Sequence, residues 1–419
     1  VYRRDRAATA PAAIESYCPI KGACGACKHV NLDYQTGLRE KYQVGLDVLG
    51  GLTQTARLVP PIASPKPFEY RSLFKLAVRP STAEGRRFAI GLFRPGTHDV
   101  LDLDPCPLHV APLRKLIADL RTELEASTIQ PWNEESGEGH LRYVAARAAH
   151  LTGEVMITFV VAKPIKAELR QLVSALQRRY HKLNSAHMNV NDAPGNAIFG
   201  PKTERLAGGD GLRERLIDLD FEVGPTSFFQ VNPWLAINLY RRIEQIAGPV
   251  EPPRAPGKIP HDLGSFRRPI AWDLYCGTGQ ISLVLARQGY KTLGIEENPE
   301  AVQHARLNAQ RNRLNERAEF IAGRVEDVYS QMPNWANAPS LIVVNPSRRG
   351  LAESTRRSLA QMLANNPDAR LVYVSCDVTT LARDLADLKA RTTHQVRQIE
   401  AFDMFAQTED LEWLAVMSR

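Results

Sequence analysis

The stretch Ile270-Ala271-Trp272-Asp273-Leu274-Tyr275-Cys276-Gly277-Thr278-Gly279-Gln280 decides the fold class of this 419-residue chain. Its apolar first half reads as a buried strand, and 281–288 behind it reads as a helix. Glycines in such a turn let the backbone approach a ligand closely, and the helix N-terminus presents unpaired N–H groups. The strand KTLGIE (291–296) ends in Gly294-Ile295-Glu296, with Glu297 next to it. An acidic residue at that point suits hydrogen bonding to ribose hydroxyls. The apolar segments EFIAG (319–323), LIVVN (341–345), LVYVSC (371–376), QIEAFDMF (398–405) and LEWLAVM (411–417) follow, alternating at first with helical segments. That alternation predicts an α/β, Rossmann-like domain over 222–419 with a mainly parallel, doubly wound sheet. Ligands bind such sheets at the C-terminal strand ends. Val344-Asn345-Pro346-Ser347-Arg348-Arg349-Gly350 and Ser375-Cys376-Asp377 both fall there. A GxG turn is shared with dinucleotide enzymes, so these pieces favour S-adenosylmethionine while leaving other nucleotide chemistry open.

Upstream the pattern changes. The segments YRSLFKLAV (70–78), RRFAIGLF (86–93), HLRYVAARAA (140–149) and EVMITFVVA (154–162) are short and separated by turns. With helices expected at 112–127 and 165–180, they predict an antiparallel α+β region. We divide this part into 18–110, holding a cysteine-rich segment and the start of the central strands, and a central region at 111–221. Residues 1–17 read as a disordered arm, and the Pro-rich stretch 249–269 as a surface loop. Hydrophobic content of 44% and charged content of 24% are those of a globular protein, and no apolar run has the length of a membrane span. The net charge of +7 is compatible with a nucleic-acid partner. The start lacks a secretory signal core, so a cytoplasmic location is expected, without membrane or protein partners. In that reducing setting the six cysteines are ligands, nucleophiles or packing residues rather than disulfides.

Two groups of cysteines carry chemistry. Cys18, Cys24 and Cys27 cluster near the start, and Cys106 stands far along, together a four-thiolate ligand set. Their spacing suits zinc and an iron–sulfur cluster equally. Cys376 ends a buried strand, a place where a lone cysteine ordinarily packs. Here, however, Phe402-Asp403-Met404-Phe405-Ala406-Gln407-Thr408-Glu409-Asp410-Leu411-Glu412 can bring carboxylates to the thiol. A thiolate beside a general base is what methylation of uracil C5 needs. Addition at C6 makes C5 nucleophilic, and a base must then remove the C5 proton. Earlier in the chain, Ser227-Phe228-Phe229-Gln230-Val231-Asn232 precedes a helix, with amide side chains able to orient a cofactor or base.

Taken in order, SFFQVN (227–232), DLYCGTG (273–279), GIE (294–296), NPSRRG (345–350), VSC (374–376) and FDMFAQTEDLE (402–412) resemble the bacterial RNA uracil-C5 methyltransferase family. The resemblance extends from Cys18 to the C-terminus. It implies that Cys376 is the nucleophile and Glu412 the proton-abstracting base. It also implies that Gln230, Tyr275, Glu296 and Asn345 line an S-adenosylmethionine site. By the same resemblance Cys18, Cys24, Cys27 and Cys106 hold a 4Fe-4S cluster, the family's CGGC standing here as Cys24-Gly25-Ala26-Cys27. The cluster is expected to staple an N-terminal iron-sulfur region of an RNA-binding platform, with no redox part in the reaction. Glu409 and Asp410, the rivals to Glu412, read as solvated charges, and Cys276 as packing.

Candidate RNA contacts in the antiparallel region are Tyr70, Arg71, Arg86, Arg87, Arg94 and Arg142. Phe74 and Phe93 are candidates for base stacking, against a core role. C5 and C6 of a stacked uracil are out of reach of a buried thiol, so the target is a flipped or loop base. Larger relatives carry a small β-barrel domain ahead of the cysteines. Only 17 residues precede Cys18, and that domain is therefore expected to be absent. With the cysteine set and the Asn-Pro start of NPSRRG, this resembles the compact 23S rRNA branch, whose target is a hairpin loop of 23S rRNA domain II. The tRNA branch, which typically lacks the cluster, is the alternative. Ser347, Asp377 and the length of 249–269 depart from the pattern. Two readings from other classes remain: a non-catalytic iron–sulfur RNA-binding protein, and a methyltransferase for a small molecule or DNA cytosine. The DNA enzymes usually set their nucleophile after proline, whereas Ser375 stands here.

Overall fold

Strand segments such as Leu341–Val344 are buried at every position, so they need cover on both faces of a sheet. The structure, a computed structural model, describes residues 18, 20–103, 106–195, 197–250, 268–328 and 332–419. The arm expected at 1–17 and nearly all of the loop expected at 249–269 lie outside them.

The strands in chain order are β1 (Arg57–Leu58), β2 (Leu73–Pro80), β3 (Phe88–Phe93), β4 (Val100–Asp102), β5 (Leu141–Ala148), β6 (Val155–Val161) and β7 (Leu183–Val190). There follow β8 (Lys202–Gly208), β9 (Leu212–Leu216), β10 (Leu219–Val223), β11 (Ile270–Leu274) and β12 (Lys291–Glu296). The last are β13 (Ala318–Ala322), β14 (Leu341–Val344), β15 (Arg370–Ser375), β16 (Gln395–Phe402) and β17 (Glu412–Ser418).

An eight-stranded sheet runs in the order β1-β16-β17-β15-β14-β11-β12-β13. The five strands from β15 to β13 are mutually parallel, and β17 inserts antiparallel to both β15 and β16. Helices Pro233–Ala247, Gln280–Gln288 and Pro299–Arg311 contribute to the core on one face. Tyr34–Leu49, Glu353–Asn365 and Val378–Arg391 contribute to the other. This is the doubly wound architecture that the alternation of strands and helices predicts.

Its far edge was not foreseen. Helix Tyr34–Leu49 packs over the sheet, Tyr42 stacking on Trp413 at 5.7 Å between ring centroids. A Cβ at Gly45 would sit 2.0 Å from the Trp413 ring, so only glycine permits that approach. β1 then adds to β16 in parallel. Residues 34–62 therefore build onto the eight-stranded sheet, although they precede the central region in sequence.

The second sheet has seven strands in the order β4-β3-β2-β5-β6-β7-β8. Helices Ala111–Glu125 and Lys166–Arg179 bury their apolar stripes on one face. One pair corrects the antiparallel expectation. Helix Lys166–Arg179 carries the chain back across the sheet, so β7 runs parallel to β6. The hairpin β9–β10 packs onto the eight-stranded sheet's core.

Candidate active site

Strand order converts distant motifs into neighbours. Reading β17-β15-β14-β11-β12 across one edge of the sheet gives Glu412, Cys376, Asn345, Tyr275 and Glu296 at successive strand ends. β17 is antiparallel, so its first residue, Glu412, lies at the same edge as the ends of the parallel strands. Neighbouring strands are about 4.8 Å apart, so the row spans roughly 19 Å, enough for a nucleoside-bearing ligand and a base side by side.

At one end of the row Ser375 pairs with Trp413, which brings Cys376 opposite Glu412 on the next rung. Glu412 also pairs with Phe402 on its other side and is 2% exposed. Burial lifts the Glu412 carboxyl to about 8; the Arg348 guanidinium opposes that rise and the Asp410 carboxylate adds to it. The half-buried Cys376 thiol is pushed up to about 11 by burial and then by Glu412, against the pull of Arg348. Arg348 forms an ion pair with Asp410. Asp410 is thus not the solvated charge expected from sequence, because its field reaches both Cys376 and Glu412. Glu409 is, being more than half exposed and paired with Lys28.

At the other end Glu296 accepts the Gly277 N–H (3.1 Å) and the Asn298 N–H (3.0 Å). Burial raises its pKa. Tyr275 has φ +66°, a left-handed conformation that costs a non-glycine residue roughly 1–3 kcal/mol and clusters at ligand sites. Asn345 is half-buried, its N–H donating to the Leu274 carbonyl at 3.2 Å. Gln230 is 3% exposed. Its segment lies on the glycine turn: the Phe228 carbonyl is 4.0 Å from where a Cβ on Gly277 would stand. Helix Gln280–Gln288 begins at Gly279 (φ +88°), whose lack of a side chain leaves the Gln280 and Ile281 N–H groups to a ligand, while the Ser282 N–H is taken by Asp273. Asp273 was missed as a functional candidate. It is fully buried, accepts from the Ser282 N–H (2.8 Å) and hydroxyl (2.7 Å), and leaves its second oxygen unpaired.

Cys18, Cys24, Cys27 and Cys106 line one cavity of about 220 Å³, walled by Val30, Phe68, Phe74 and Leu92 among others. Burial, then the neighbouring Cys106, Cys24 and Cys18, push the Cys27 thiol up to about 12. Among the described residues, no three Cys, His, Asp or Glu side chains already stand as a metal-ligating group.

The sequence-based RNA contacts divide sharply. Tyr70 is fully buried and donates to the Ala406 carbonyl. Arg142 is buried and donates to the carbonyls of Asn191 and Ala193. Arg87 donates to the carbonyls of Glu125, Ser127 and Ile129 at and just past the end of helix Ala111–Glu125. All three satisfy backbone groups that would otherwise be stranded, a structural role. Phe74 is core, and Phe93 is part-buried beneath the Arg79 guanidinium. Arg71 lines the cysteine cavity. Arg86, paired with Asp102, and Arg94 remain exposed.

Comparison with known proteins gives this geometry its class. The family described as tRNA (uracil-5-)-methyltransferase matches residues 269–419. An RNA methyltransferase of Thermosynechococcus vestitus, itself uncharacterized, is 32% identical over 409 residues, 96% of this chain and 83% of the relative. The chain belongs to the RNA (uracil-C5) methyltransferase family. A second uncharacterized RNA methyltransferase, from Nostoc, is 32% identical over 413 residues, covering 97% of this chain and 83% of its own length. The tRNA (uracil-54, C5)-methyltransferase of Pyrococcus abyssi, solved with S-adenosyl-L-homocysteine, superposes with TM-score 0.71. It shares 27% identity over 93% of this chain and 85% of its own. The protein is an S-adenosylmethionine-dependent RNA (uracil-C5) methyltransferase with a Rossmann-like catalytic domain, and the non-catalytic reading falls away. Within the family frame Asp377 has a local explanation. Its carboxylate caps helix Val378–Arg391 through the Thr380 N–H (2.8 Å), a role in which Asp and Asn are equivalent.

Proposed function

We propose that this methyltransferase acts on a loop uridine of 23S rRNA, with Cys376 as nucleophile and Glu412 as base. The observation that carries the residue roles is the Ser375–Trp413 pair, whose continuation sets Cys376 opposite Glu412 beside the cofactor turn. S-adenosylmethionine supplies an electrophilic methyl group. Cys376 Sγ adds to uracil C6, and the electron density released at C5 takes that methyl. The Glu412 carboxylate then removes the C5 proton, the C5–C6 double bond re-forms, and Sγ departs. A carboxylate lifted to about 8 is a stronger base than a solvated one, which suits a carbon acid. Arg348 steadies negative charge on both groups.

Gln230, Tyr275, Glu296 and Asn345 are assigned to the cofactor, Glu296 retaining lone pairs for ribose hydroxyls beyond its two backbone bonds. Four thiols on one cavity fit a four-thiolate group, and we assign Cys18, Cys24, Cys27 and Cys106 to a 4Fe-4S cluster. When bound it would cross-link the start of the chain to the loop after β4, leaving the methyl transfer itself to the sheet edge. Residues 18–110 and 111–221, less the part that joins the catalytic sheet, are taken as the RNA platform, and 222–419 as the methyltransferase domain. The 23S assignment is supported by the cysteine set and by Asn345 at the head of NPSRRG. A tRNA target is the second reading, favoured by the P. abyssi enzyme's substrate.

The test is transfer of labelled methyl from S-adenosylmethionine to unmodified 23S rRNA and tRNA transcripts, with nuclease mapping. The 23S reading expects 5-methyluridine confined to one 23S loop; label in tRNA alone overturns it and keeps the mechanism. Iron and acid-labile sulfide in near-equal amounts after anaerobic purification are expected for the cluster, and zinc without sulfide overturns it.

A further inference from the structure

The loop between β16 and β17 delivers Glu412, yet it is held chiefly by residues from the start of the chain. Four consecutive carbonyls are taken in turn: Phe405 by Lys41 Nζ (3.2 Å), Ala406 by the Tyr70 hydroxyl (2.9 Å), Gln407 by the His29 N–H (3.1 Å) and Thr408 by His29 Nδ1 (3.3 Å). Gln407 sits at φ +70°, a conformation that a non-glycine residue keeps only when its surroundings impose it. Beneath them lies an ion pair. Lys41 Nζ meets Asp403 Oδ1 at 2.5 Å, both side chains 1% exposed, and the Tyr34 hydroxyl donates to Asp403 Oδ2 at 2.7 Å. Tyr34 in turn accepts the Ser64 N–H (2.7 Å), and Ser64 Oγ accepts from the amide of Asn232, the cap of the helix that follows Gln230.

A buried charge pair seldom adds net stability over apolar residues of the same size. Its presence in this loop therefore calls for a role in geometry. We infer that Lys41, Asp403 and Tyr34 form a positioning network that fixes the 403–411 loop, and through it Glu412, for removal of the C5 proton. The inference rests on the proposed role of Glu412. It makes a separate demand: the network matters to the second half of the reaction and not to the first.

Full-length Lys41→Met/Asp403→Asn removes both charges at near-constant volume, so that no lone charge is left in the core; Tyr34→Phe is the milder companion. Folding is checked by thermal melting and by S-adenosyl-L-homocysteine binding. RNA containing 5-fluorouridine reports the first half, because addition and methyl transfer proceed while C5 carries no removable proton. Ordinary uridine RNA reports turnover, using the 23S transcript or, where that is the substrate accepted, the tRNA transcript. The expected result for the double variant is a fall in kcat of about 10- to 100-fold, the scale of a misplacement near 1 Å. The KM for RNA falls with kcat so that kcat/KM stays near wild type, trapping on 5-fluorouridine RNA keeps its wild-type rate, and adduct accumulates on uridine RNA. Tyr34→Phe shows the same pattern more weakly. Wild-type turnover in the folded double variant overturns the inference, as does an equal loss of trapping and turnover; should that variant not fold, Tyr34→Phe decides on the same two readouts. Glu412→Gln runs in parallel. If it turns over like wild type without accumulating adduct, the base assignment fails, and the network inference fails with it for that distinguishable reason.

Discussion

The two sheets treat their charged and reactive side chains in opposite ways. The eight-stranded sheet lines up Glu412, Cys376, Asn345, Tyr275 and Glu296 along one edge, each at a strand end. The seven-stranded sheet turns its buried arginines inward, Arg142 and Arg147 both donating to backbone carbonyls. The difference follows from direction. Parallel strands send all their C-terminal ends to one side, so ligand-binding residues converge there whatever the sequence distance between them. Strands of a mostly antiparallel sheet point alternately to both sides, and no single motif position is favoured. Candidate site residues are concentrated on the first sheet and scattered on the second.

Substitutions should separate the two. Cys376→Ala should have the largest effect, a loss of methyl transfer on the order of 10⁴-fold or more at unchanged thermal stability. Residual activity near wild type would show that the thiol is not the nucleophile. Glu412→Gln should lower turnover by about 10²–10⁴-fold, with methylated adduct accumulating on uridine RNA. The same carboxyl sets a pH dependence. It accepts the proton only when ionised, so the proton-removal step of the wild type should rise as pH passes through about 8. In single-turnover measurements Glu412→Gln should abolish that limb; an identical profile would assign the titration to another group. On the second sheet Arg142→Met should leave chemistry in the folded protein untouched. It strips the donors from two carbonyls and should lower stability by about 1–3 kcal/mol, read by denaturant unfolding. The smallest effect is expected at exposed Arg94. If it meets a phosphate, Arg94→Ala should weaken RNA binding modestly and reduce the slope of log affinity against log salt by about one. An unchanged slope would remove it from the interface.

The same contrast explains what could be read from sequence. Each of the seven catalytic-domain segments from IAWDLYC to LEWLAVM is a strand, because unbroken apolar runs and glycine punctuation survive any context. The motifs name Cys376 and Glu412 together, and the strand register sets them opposite each other one rung beyond Ser375–Trp413. On the central sheet the segments around β2, β3, β5 and β6 were legible, but β7 and β8 were not. LNSAHMNV and KTERLAG mix polar and apolar residues without clean alternation. An arginine's sequence neighbourhood does not say whether it faces solvent, RNA or a stranded carbonyl, and so Arg87 and Arg142 stand in the sequence only as candidate contacts. Nor could sequence show that Tyr34–Leu49 and β1 complete the catalytic sheet, since their partners Trp413 and β16 lie more than 300 residues away. The role of Asp410 was hidden for a similar reason. Its neighbour Glu409 is solvated, and only the fold brings Arg348 to one and not the other.

The most direct test of the catalytic assignment is mass spectrometry of the complex formed with S-adenosylmethionine and 5-fluorouridine RNA. With Cys376 as nucleophile, a methylated RNA adduct maps to Cys376 in the wild type and in Glu412→Gln, and none forms in Cys376→Ala. An adduct on another residue, or none in an active wild-type enzyme, would contradict that assignment.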